Sequence, residues 1–437
     1  MWVLLLSLTN VILLLSVSYK CVKRRIDTAL LYYCAISLYL INIPLLFDSL
    51  MVGLSGMNAW DATLADVNKY WTSGALRNIE LVALNSLIFN IVFLASYYWV
   101  CKGQIKTGKM TYRPLNNNTL SSLSWGTSFL FVIMGLIIFM VYNNITSFSN
   151  MEVGEWYENR SNDRVLGLLA SLLVPLMSVG VIRTMYSKNY VLGLILLSPV
   201  LIIGISTGAR SQIIPIVFYV MFYLLWANTK GFRLKNILVI GIIGYVLVYL
   251  LTITRESITA VYPLYKDWSY LDLFYVYEMG SSISTHGLNT LTMILRDFLP
   301  LQVEDITTVV ADSKFGAGWG TLHPSLLGWA YVDLQNYYWV LAALFGVIIG
   351  FYDRLRHRMP MLIYLLFLSY EFAFLAIAVR GSVKFAYSQL FYPMLILIAL
   401  YLIDRVKLIN CHYNEYSSNK QGSVGKHSTV NKCHMPS

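Results

Sequence analysis

Two histidines and three arginines are the side chains of this chain best suited to proton transfer and to binding a phosphorylated or otherwise anionic ligand. His286 and His323 could each take a proton from a hydroxyl group, because imidazole titrates near neutral pH. A guanidinium group binds phosphate oxygens with two parallel hydrogen bonds, so an arginine can hold an anionic ligand. Three arginines stand where long apolar stretches end: Arg210, Arg255 and Arg380. Together these residues suggest proton transfer beside a bound phosphate.

Most of the other polar groups available for chemistry are concentrated in the segment 255–337. This segment interrupts the hydrophobic body of the sequence, contains both histidines and carries a glycine-rich run at residues 316–320. Asp333, Glu278 and Glu256 are weaker candidates for a base within it. Most of its acidic residues are expected to be solvated loop surface, and a single loop histidine is more often a structural hydrogen-bonding group.

The composition indicates what kind of scaffold must position these residues. Hydrophobic residues make up 57% of the 437-residue chain and charged residues only 12%, and the mean hydropathy is +0.61. This is more apolar surface than a soluble protein of this length could bury. A run of about 20 apolar residues crosses a bilayer as a helix that satisfies its own backbone hydrogen bonds. The fold class is therefore an all-α polytopic integral membrane protein.

Eleven apolar stretches are predicted to be transmembrane helices and to form one domain over residues 1–403. They are Trp2 to Tyr19, Ala29 to Met51, Leu81 to Val100, Trp125 to Tyr142, Val165 to Ile182, Tyr190 to Ser206, Gln212 to Ala227, Asn236 to Thr254, Tyr338 to Phe351, Met361 to Ala378 and Ala386 to Ile403. Residues 404–437 are predicted to form a polar, disordered tail.

The distribution of charge predicts the orientation of these helices. About two thirds of the 32 Lys and Arg residues fall in alternate connections that face the cytoplasm if the N-terminus is outside and the C-terminus inside. Most of the 22 Asp and Glu residues fall on the opposite side. The segment 255–337 then becomes one long outward, periplasmic loop. The net charge of +10 reflects this topology, and no folded basic module suggests binding to nucleic acid.

Some polar residues in this topology have both a structural and a functional interpretation. Arginines at helix ends commonly extend to lipid headgroups, but as a set on the side that is poor in basic residues they favour ligand binding. Asp48 and Glu371 fall inside predicted spans, where ionisable groups pair or line a wet cavity. They could hold helices together, open a polar cavity outward with Asp333, or couple a transporter to protons.

Two short helices are predicted within the long loop, both at or near the outer interface. Thr285 would cap the first, with His286 in its first turn, where free amides favour an anion. Its apolar stripe is Leu288, Leu291, Leu295 and Phe298, and Pro300 would end it. This stripe would lie on the membrane or on other helices. The second helix would begin near Pro324 and reach Asp333, before the ninth span.

Several short motifs in the C-terminal half resemble those of the oligosaccharide repeat unit polymerases, the Wzy-type O-antigen polymerases of bacteria. The residues that carry the resemblance are Gly318-Trp319-Gly320, His323-Pro324-Ser325-Leu326-Leu327-Gly328, Tyr331 and Phe345-Gly346-Val347-Ile348-Ile349-Gly350. The turns Thr207-Gly208-Ala209-Arg210 and Arg380-Gly381-Ser382 are similar to the family's arginine-bearing loops. The chain departs from the family pattern at Trp329, where an acidic residue is expected.

The resemblance implies a membrane glycosyltransferase at the periplasmic face of the bacterial inner membrane. Such an enzyme polymerises undecaprenyl-pyrophosphate-linked repeat units into O-antigen or a related surface polysaccharide, as in lipopolysaccharide biosynthesis. In this interpretation Arg210, Arg255 and Arg380 bind the pyrophosphate, and His323 or His286 activates the acceptor hydroxyl. No metal or other cofactor is required in principle. The implied partners are the lipid-linked oligosaccharide and, less directly, a chain-length regulator of the same membrane.

Three other functions remain open from the sequence. A glycan-to-lipid ligase would use a similar lipid-linked donor. A flippase or secondary transporter of lipid-linked oligosaccharide should show internal repeats and a site at mid-membrane, and the sequence shows neither. A purely structural subunit would not need outward arginines beside one long loop.

Overall fold

The described part of the chain is helical throughout. The structure is a computed structural model that describes residues 2–24, 28–55, 76–101, 269–295, 306–315, 322–356, 361–381 and 383–387, with single positions at 191, 218, 219, 242, 359, 398 and 402. It contains no strand within these ranges. The predicted spans between residues 125 and 254, the last span and the tail lie almost wholly outside the described residues.

The N-terminal helices form the first part of the bundle: α1 (Trp2–Arg24), α2 (Thr28–Ser37), α3 (Ile43–Ser55) and α4 (Leu76–Cys101). A single π-helical turn, Leu38–Asn42, joins α2 to α3 without a break. The prediction of one span from residue 29 to residue 51 is therefore confirmed as a helix, with a widened turn inside it.

The C-terminal helices comprise short elements of the long loop followed by longer helices. They are α5 (Ser269–Met279), α6 (Leu288–Leu295), α7 (Ile306–Phe315), α8 (Ser325–Leu334), α9 (Tyr338–Arg356), α10 (Met361–Arg380) and α11 (Val383–Ala386). Two 3-10 turns, Gly280–Ile283 and Gln335–Tyr337, follow α5 and α8. The second short helix of the loop and the ninth span thus begin within one residue of their predicted positions.

Four described stretches are long and apolar enough to cross a membrane. They are Trp2–Lys23, Ala29–Leu50, Arg77–Cys101 and Ser325–Leu355, the last of which includes both α8 and α9. Helix α1 shows why a membrane is needed: it exposes an apolar stripe that includes Leu5, Leu8 and Ile12. Exposing an apolar stripe along a whole helix is energetically unfavourable in water, whereas it is favourable in lipid. The total of eleven spans and their direction remain predictions.

A network of buried polar side chains joins the first three long helices. Asn10 of α1 donates to Asn42 Oδ1 at 2.5 Å and to Ser86 Oγ at 3.0 Å. Asn90 of α4 donates to Asn10 Oδ1 at 3.0 Å and accepts from the Tyr33 hydroxyl at 2.7 Å. Because amides are costly to bury without partners, this mutual satisfaction fixes the rotation of each helix about its axis.

Two glycines allow α4 and α9 to pack backbone to backbone. A Cβ atom on Gly346 would lie 2.3 Å from the Phe93 carbonyl oxygen, and one on Gly350 would lie 3.1 Å from the Tyr97 carbonyl oxygen. The four-residue spacing puts both glycines on one face of α9, which is the small-residue pattern of close helix pairs in membranes. The Tyr97 hydroxyl also donates to the buried Asp353 carboxylate at 2.6 Å.

Helix α10 is the most deeply enclosed of the described helices. Every residue from Tyr364 to Leu375 is buried, so no face of this part of the helix is left for lipid or water. A helix that is apolar on nearly every side is expected at such a central position, although Ser369 and Glu371 are buried with it. It ends at Arg380, which is exposed, and Gly381 follows with φ of +111°.

We expect Gly346→Ala to destabilise the protein more than Gly350→Ala does. The added methyl group at residue 346 would overlap a backbone oxygen, whereas at residue 350 the neighbours need to move by only a few tenths of an ångström. Overpacking of this kind costs about 1–3 kcal/mol. The measurement is the thermal denaturation midpoint of each purified variant in detergent. Equal midpoints for the two variants would contradict the close approach at Gly346.

Candidate functional site

The turn that follows α10 contacts the start of α8, and this contact brings two predicted site residues together. A Cβ atom on Gly381 would lie 2.9 Å from the Ser325 amide nitrogen and 3.3 Å from Pro324 Cδ. A side chain here would therefore overlap the chain just after His323, and the positive φ independently favours glycine. The turn places Arg380 close enough for its charge to act on His323.

The short loop that carries His323 is held by three other elements. Asp272 of α5 accepts a hydrogen bond from the His323 amide at 2.7 Å. The Leu322 amide donates to the Thr307 carbonyl oxygen of α7 at 3.0 Å. Gly328 leaves room for Pro324, since a Cβ atom there would lie only 2.6 Å from Pro324 Cβ. The backbone of the loop is therefore fixed by α5, α7 and the start of α8.

The surroundings of His323 keep its imidazole neutral. Burial of the ring, and secondly the positive charge of Arg380, lower the pKa of His323 to about 3 from its ordinary value. Both causes disfavour a second positive charge at this place. A neutral imidazole beside an exposed guanidinium group can accept a proton, while the guanidinium group binds an anion.

The other end of α8 holds a buried carboxylate that caps α6. Asp333 accepts hydrogen bonds from the amides of Asn289 at 3.1 Å and Thr290 at 3.0 Å, and from the Thr290 hydroxyl. The Thr285 hydroxyl donates to the same carboxylate at 2.6 Å. The prediction that Thr285 itself caps this helix is therefore wrong, because the anion on the first-turn amides is Asp333. These donors explain how Asp333 can be completely buried.

His286 lies at this second end, away from His323. It stands in the turn before α6 with φ of +52°, it is exposed, and its Nδ1 lies 3.4 Å from Ser284 Oγ. The following residue, Gly287, donates its amide to the Asp333 carbonyl oxygen at 2.7 Å. Helix α8 has ten residues, so its two ends are about 15 Å apart. Of the two predicted histidines, only His323 is brought to Arg380.

The two acidic residues predicted inside spans have different surroundings. Asp48 of α3 is buried and accepts a hydrogen bond from the Tyr270 hydroxyl of α5. Helix α5 therefore connects Asp48 to the His323 loop, since Asp272 lies two residues after Tyr270. Glu371 is fully buried halfway along α10. A cavity lined by Asp48, Glu371 and Asp333 stays a prediction.

Two of the three predicted arginines, Arg210 and Arg255, lie outside the described residues, as does the glycine-rich run 316–320. No cluster of three or more His, Cys, Asp or Glu side chains suited to a metal ion occurs within the described ranges. Of the three predicted arginines, Arg380 is therefore the one that the described structure places near His323.

Sequence reasoning missed the contribution of Asp272. Its 51-residue separation from His323 hides the contact, and nothing in its local pattern distinguishes it from the neighbouring acidic residues. The positive φ of +67° at Ser325 was equally hidden. The pattern His323-Pro324-Ser325 predicted a helix start, but not its unusual backbone.

Comparison with known proteins finds no relative of this chain. The chain matches no family model, no curated protein and no solved structure. Function must therefore be inferred from the residues of the candidate site and their geometry.

We expect Asp333→Ala to release α6 from α8. The substitution removes the acceptor for two helix amides and two hydroxyl groups, and hydrogen bonds to a charged group contribute about 1.5–3 kcal/mol each. Hydrogen exchange followed by mass spectrometry should therefore show at least about tenfold faster exchange in peptides covering residues 285–290. Glu278→Ala removes an exposed acidic residue of α5 and is the control. Unchanged protection in Asp333→Ala would contradict the capping role.

We expect His323 to make the stability of the protein depend on pH below about 6.5. As the pH falls below the ordinary histidine pKa, the unfolded chain binds a proton at this residue, while folded His323 with a pKa of about 3 does not. The stability that the neutral ring contributes is therefore present above pH 6.5 and is lost progressively on acidification. The difference in denaturation midpoint between the wild type and His323→Gln should shrink from pH 7.5 to pH 5.

His286→Gln is the control for this measurement, because it replaces an exposed histidine of the same loop. It controls for the loss of one imidazole from this loop. If the difference in denaturation midpoint between the wild type and His323→Gln stays constant with pH, His323 titrates alike in the folded and unfolded states. That result would contradict the prediction.

Proposed function

We propose that this protein is a membrane glycosyltransferase that polymerises lipid-pyrophosphate-linked oligosaccharide repeat units at the outer face of a bacterial inner membrane. The observation that carries the proposal is the contact between the Arg380-Gly381 turn and the His323-Pro324-Ser325 loop. This contact brings together Arg380, whose guanidinium group can bind phosphate, and His323, whose imidazole can accept a proton. The motif resemblance supports the same reaction, because both segments belong to the motifs that resemble the O-antigen polymerases.

Arg380 is proposed to stabilise the leaving pyrophosphate. Arg380 is exposed at the end of a helix whose residues from Tyr364 to Leu375 are all buried, so the helix gives it a rigid support. Transfer of the glycan from its lipid carrier leaves negative charge on the pyrophosphate, and a fixed cation lowers the energy of that state. Arg210 and Arg255 are proposed to bind the same group, on the basis of the sequence.

His323 is proposed to take the proton from the acceptor sugar hydroxyl. A histidine with a pKa of about 3 is neutral at pH 7 but is only a weak base. Burial of the ring is the larger cause of this low pKa, and a pyrophosphate bound to Arg380 would offset the smaller cause, the positive charge of Arg380. His323 would thus become more basic when the donor is bound, which links proton removal to occupancy of the donor site.

Asp272 is proposed to position His323 without contacting the substrate. Its carboxylate holds the His323 amide at 2.7 Å, and Tyr270 on the same helix is bonded to Asp48 within a membrane-capable stretch. The loop is therefore tied to the part of the protein that the bilayer would surround. A substrate with a lipid tail in the bilayer and a pyrophosphate at its surface suits a site at this junction.

We expect Arg380→Ala and His323→Ala to shorten the surface glycan to a single repeat unit that is still attached to its acceptor. Loss of one group that stabilises developing charge lowers rates by about 10²–10³-fold, and loss of a general base by about 10²–10⁴-fold. Arg380→Lys keeps the charge but loses the two-pronged hydrogen bonding, so it should give an intermediate ladder. The measurement is the length distribution of the glycan by gel electrophoresis, with protein levels checked by immunoblot.

Arg354→Ala is the matched control, since Arg354 is also exposed but lies near the far end of α9. It should give a normal ladder. Polymer that accumulates on the lipid carrier in the Arg380 variant would indicate a ligase, and repeat units retained on the cytoplasmic side would indicate a flippase. A normal ladder in both Arg380→Ala and His323→Ala would overturn the assignment of the site.

A further inference from the structure

Helix α6 presents its apolar side chains outward and its mixed face to the protein. Leu288 and Leu291 are 60% and 52% exposed, whereas Asn289 and Met293 are each 5% exposed. A helix on the surface of a protein in water normally shows the reverse arrangement, with leucines packed inside. The outward leucines therefore need an apolar surrounding that the described residues do not provide.

The backbone of α6 is also adapted to a surrounding that is poor in water. The sequence of the helix, Leu-Asn-Thr-Leu-Thr-Met-Ile-Leu, contains no charged residue. The amides of Asn289 and Thr290, which would normally bind water at a helix start, donate to the Asp333 carboxylate instead. The positive end of the helix is thus neutralised from within the protein, and its first turn can approach lipid without losing hydrogen bonds.

The start of α6 is attached to the chain just before α9, a helix that belongs to a stretch able to span a membrane. Hydrogen bonds from Thr285 to the Val332 carbonyl oxygen and from Gly287 to the Asp333 carbonyl oxygen attach the start of α6 to the end of α8. A few residues further along the chain, Tyr337 and Trp339 are 66% and 45% exposed. Exposed tyrosine and tryptophan at the start of a spanning helix are typical of the membrane interface.

This exposed surface extends along α9 itself. Val340, Leu344 and Phe351 are 41–52% exposed on a helix that belongs to a stretch able to span a membrane. This stripe begins at the end of α9 that follows α8, and the start of α6 is attached to the last turn of α8.

We propose that α6 is an interfacial helix that lies in the plane of the membrane surface, with Leu288 and Leu291 inserted among the lipid acyl chains. Its partner is the lipid bilayer itself, and the Asp333 cap fixes the helix to α8 at that depth. The inference depends on the chain being a membrane protein and not on the polymerase reaction. It assigns α6 and the adjoining His286 turn a function as a membrane anchor of the long loop.

The test places an environment-sensitive fluorophore on the outward face of α6 in the full-length chain. Leu288→Cys and Leu291→Cys would each be made together with Cys411→Ser and Cys433→Ser; the three described cysteines, Cys21, Cys34 and Cys101, are buried. Each variant is labelled with nitrobenzoxadiazole and reconstituted in vesicles of phosphatidylcholine and phosphatidylglycerol. Quenching is measured with aqueous iodide and with lipids that carry a nitroxide at the fifth acyl carbon.

Two labelled positions calibrate the measurement. Ser282→Cys is the aqueous control, because Ser282 is exposed in the 3-10 turn before α6. Leu344→Cys is the lipid control on the exposed side of α9. We expect both α6 positions to resemble Leu344→Cys, with nitroxide quenching at least about threefold stronger than at Ser282→Cys and little quenching by iodide.

Each alternative surrounding gives a different result. Strong iodide quenching at both α6 positions, as at Ser282→Cys, would show that the leucines face water and would overturn the proposal. Protection from both quenchers would show that protein covers the helix, either another segment of this chain or a second copy, and would overturn it equally. Because two positions are tested independently, failure of one variant to fold leaves the other as the test.

Discussion

Hydrogen bonding of buried carboxylates is the constraint on which the arrangement of the described helices depends. A carboxylate removed from water is very unfavourable unless donors surround it, and in a membrane these donors must come from the protein. Asp48 is satisfied by Tyr270, Asp353 by Tyr97, and Asp333 by the start of α6. Each bond joins two different helices. These bonds therefore hold α5 of the loop against α3, α9 against α4, and the loop helices α6 and α8 against each other.

Helix α8 organises the candidate site because each of its ends is occupied differently. Its first end meets an arginine turn and carries a neutral histidine, while its last end supplies a carboxylate that caps another helix. A cation and a proton acceptor therefore meet at the first end of α8. The exposed His286 belongs to the other end, where its neighbours are a structural cap and an apolar helix. This separation favours His323 over His286 for chemistry on a bound anion.

Glycines matter here for two distinct physical reasons. At Gly346 and Gly350 they allow two helix backbones to approach, and a side chain at residue 346 would overlap the backbone of α4. At Gly381 the backbone has a positive φ as well as a close neighbour, so glycine is favoured by both conformation and space. The short motifs that resemble the polymerases thus include positions set by packing. Arg380 and His323 are the members of those motifs that we propose take part in the chemistry.

Local pattern was sufficient to predict the class of the protein and many of its helices. Runs of apolar residues determine where a chain can cross a bilayer, since each spanning helix satisfies its own backbone, and α8 and α9 begin where the sequence indicated. Which side chains meet was decided only by the tertiary structure. Asp272 lies 51 residues from His323, and Asp48 lies 222 residues from Tyr270. Such contacts depend on how helices rotate and pack to satisfy buried polar groups, and no periodicity within a single segment encodes that choice.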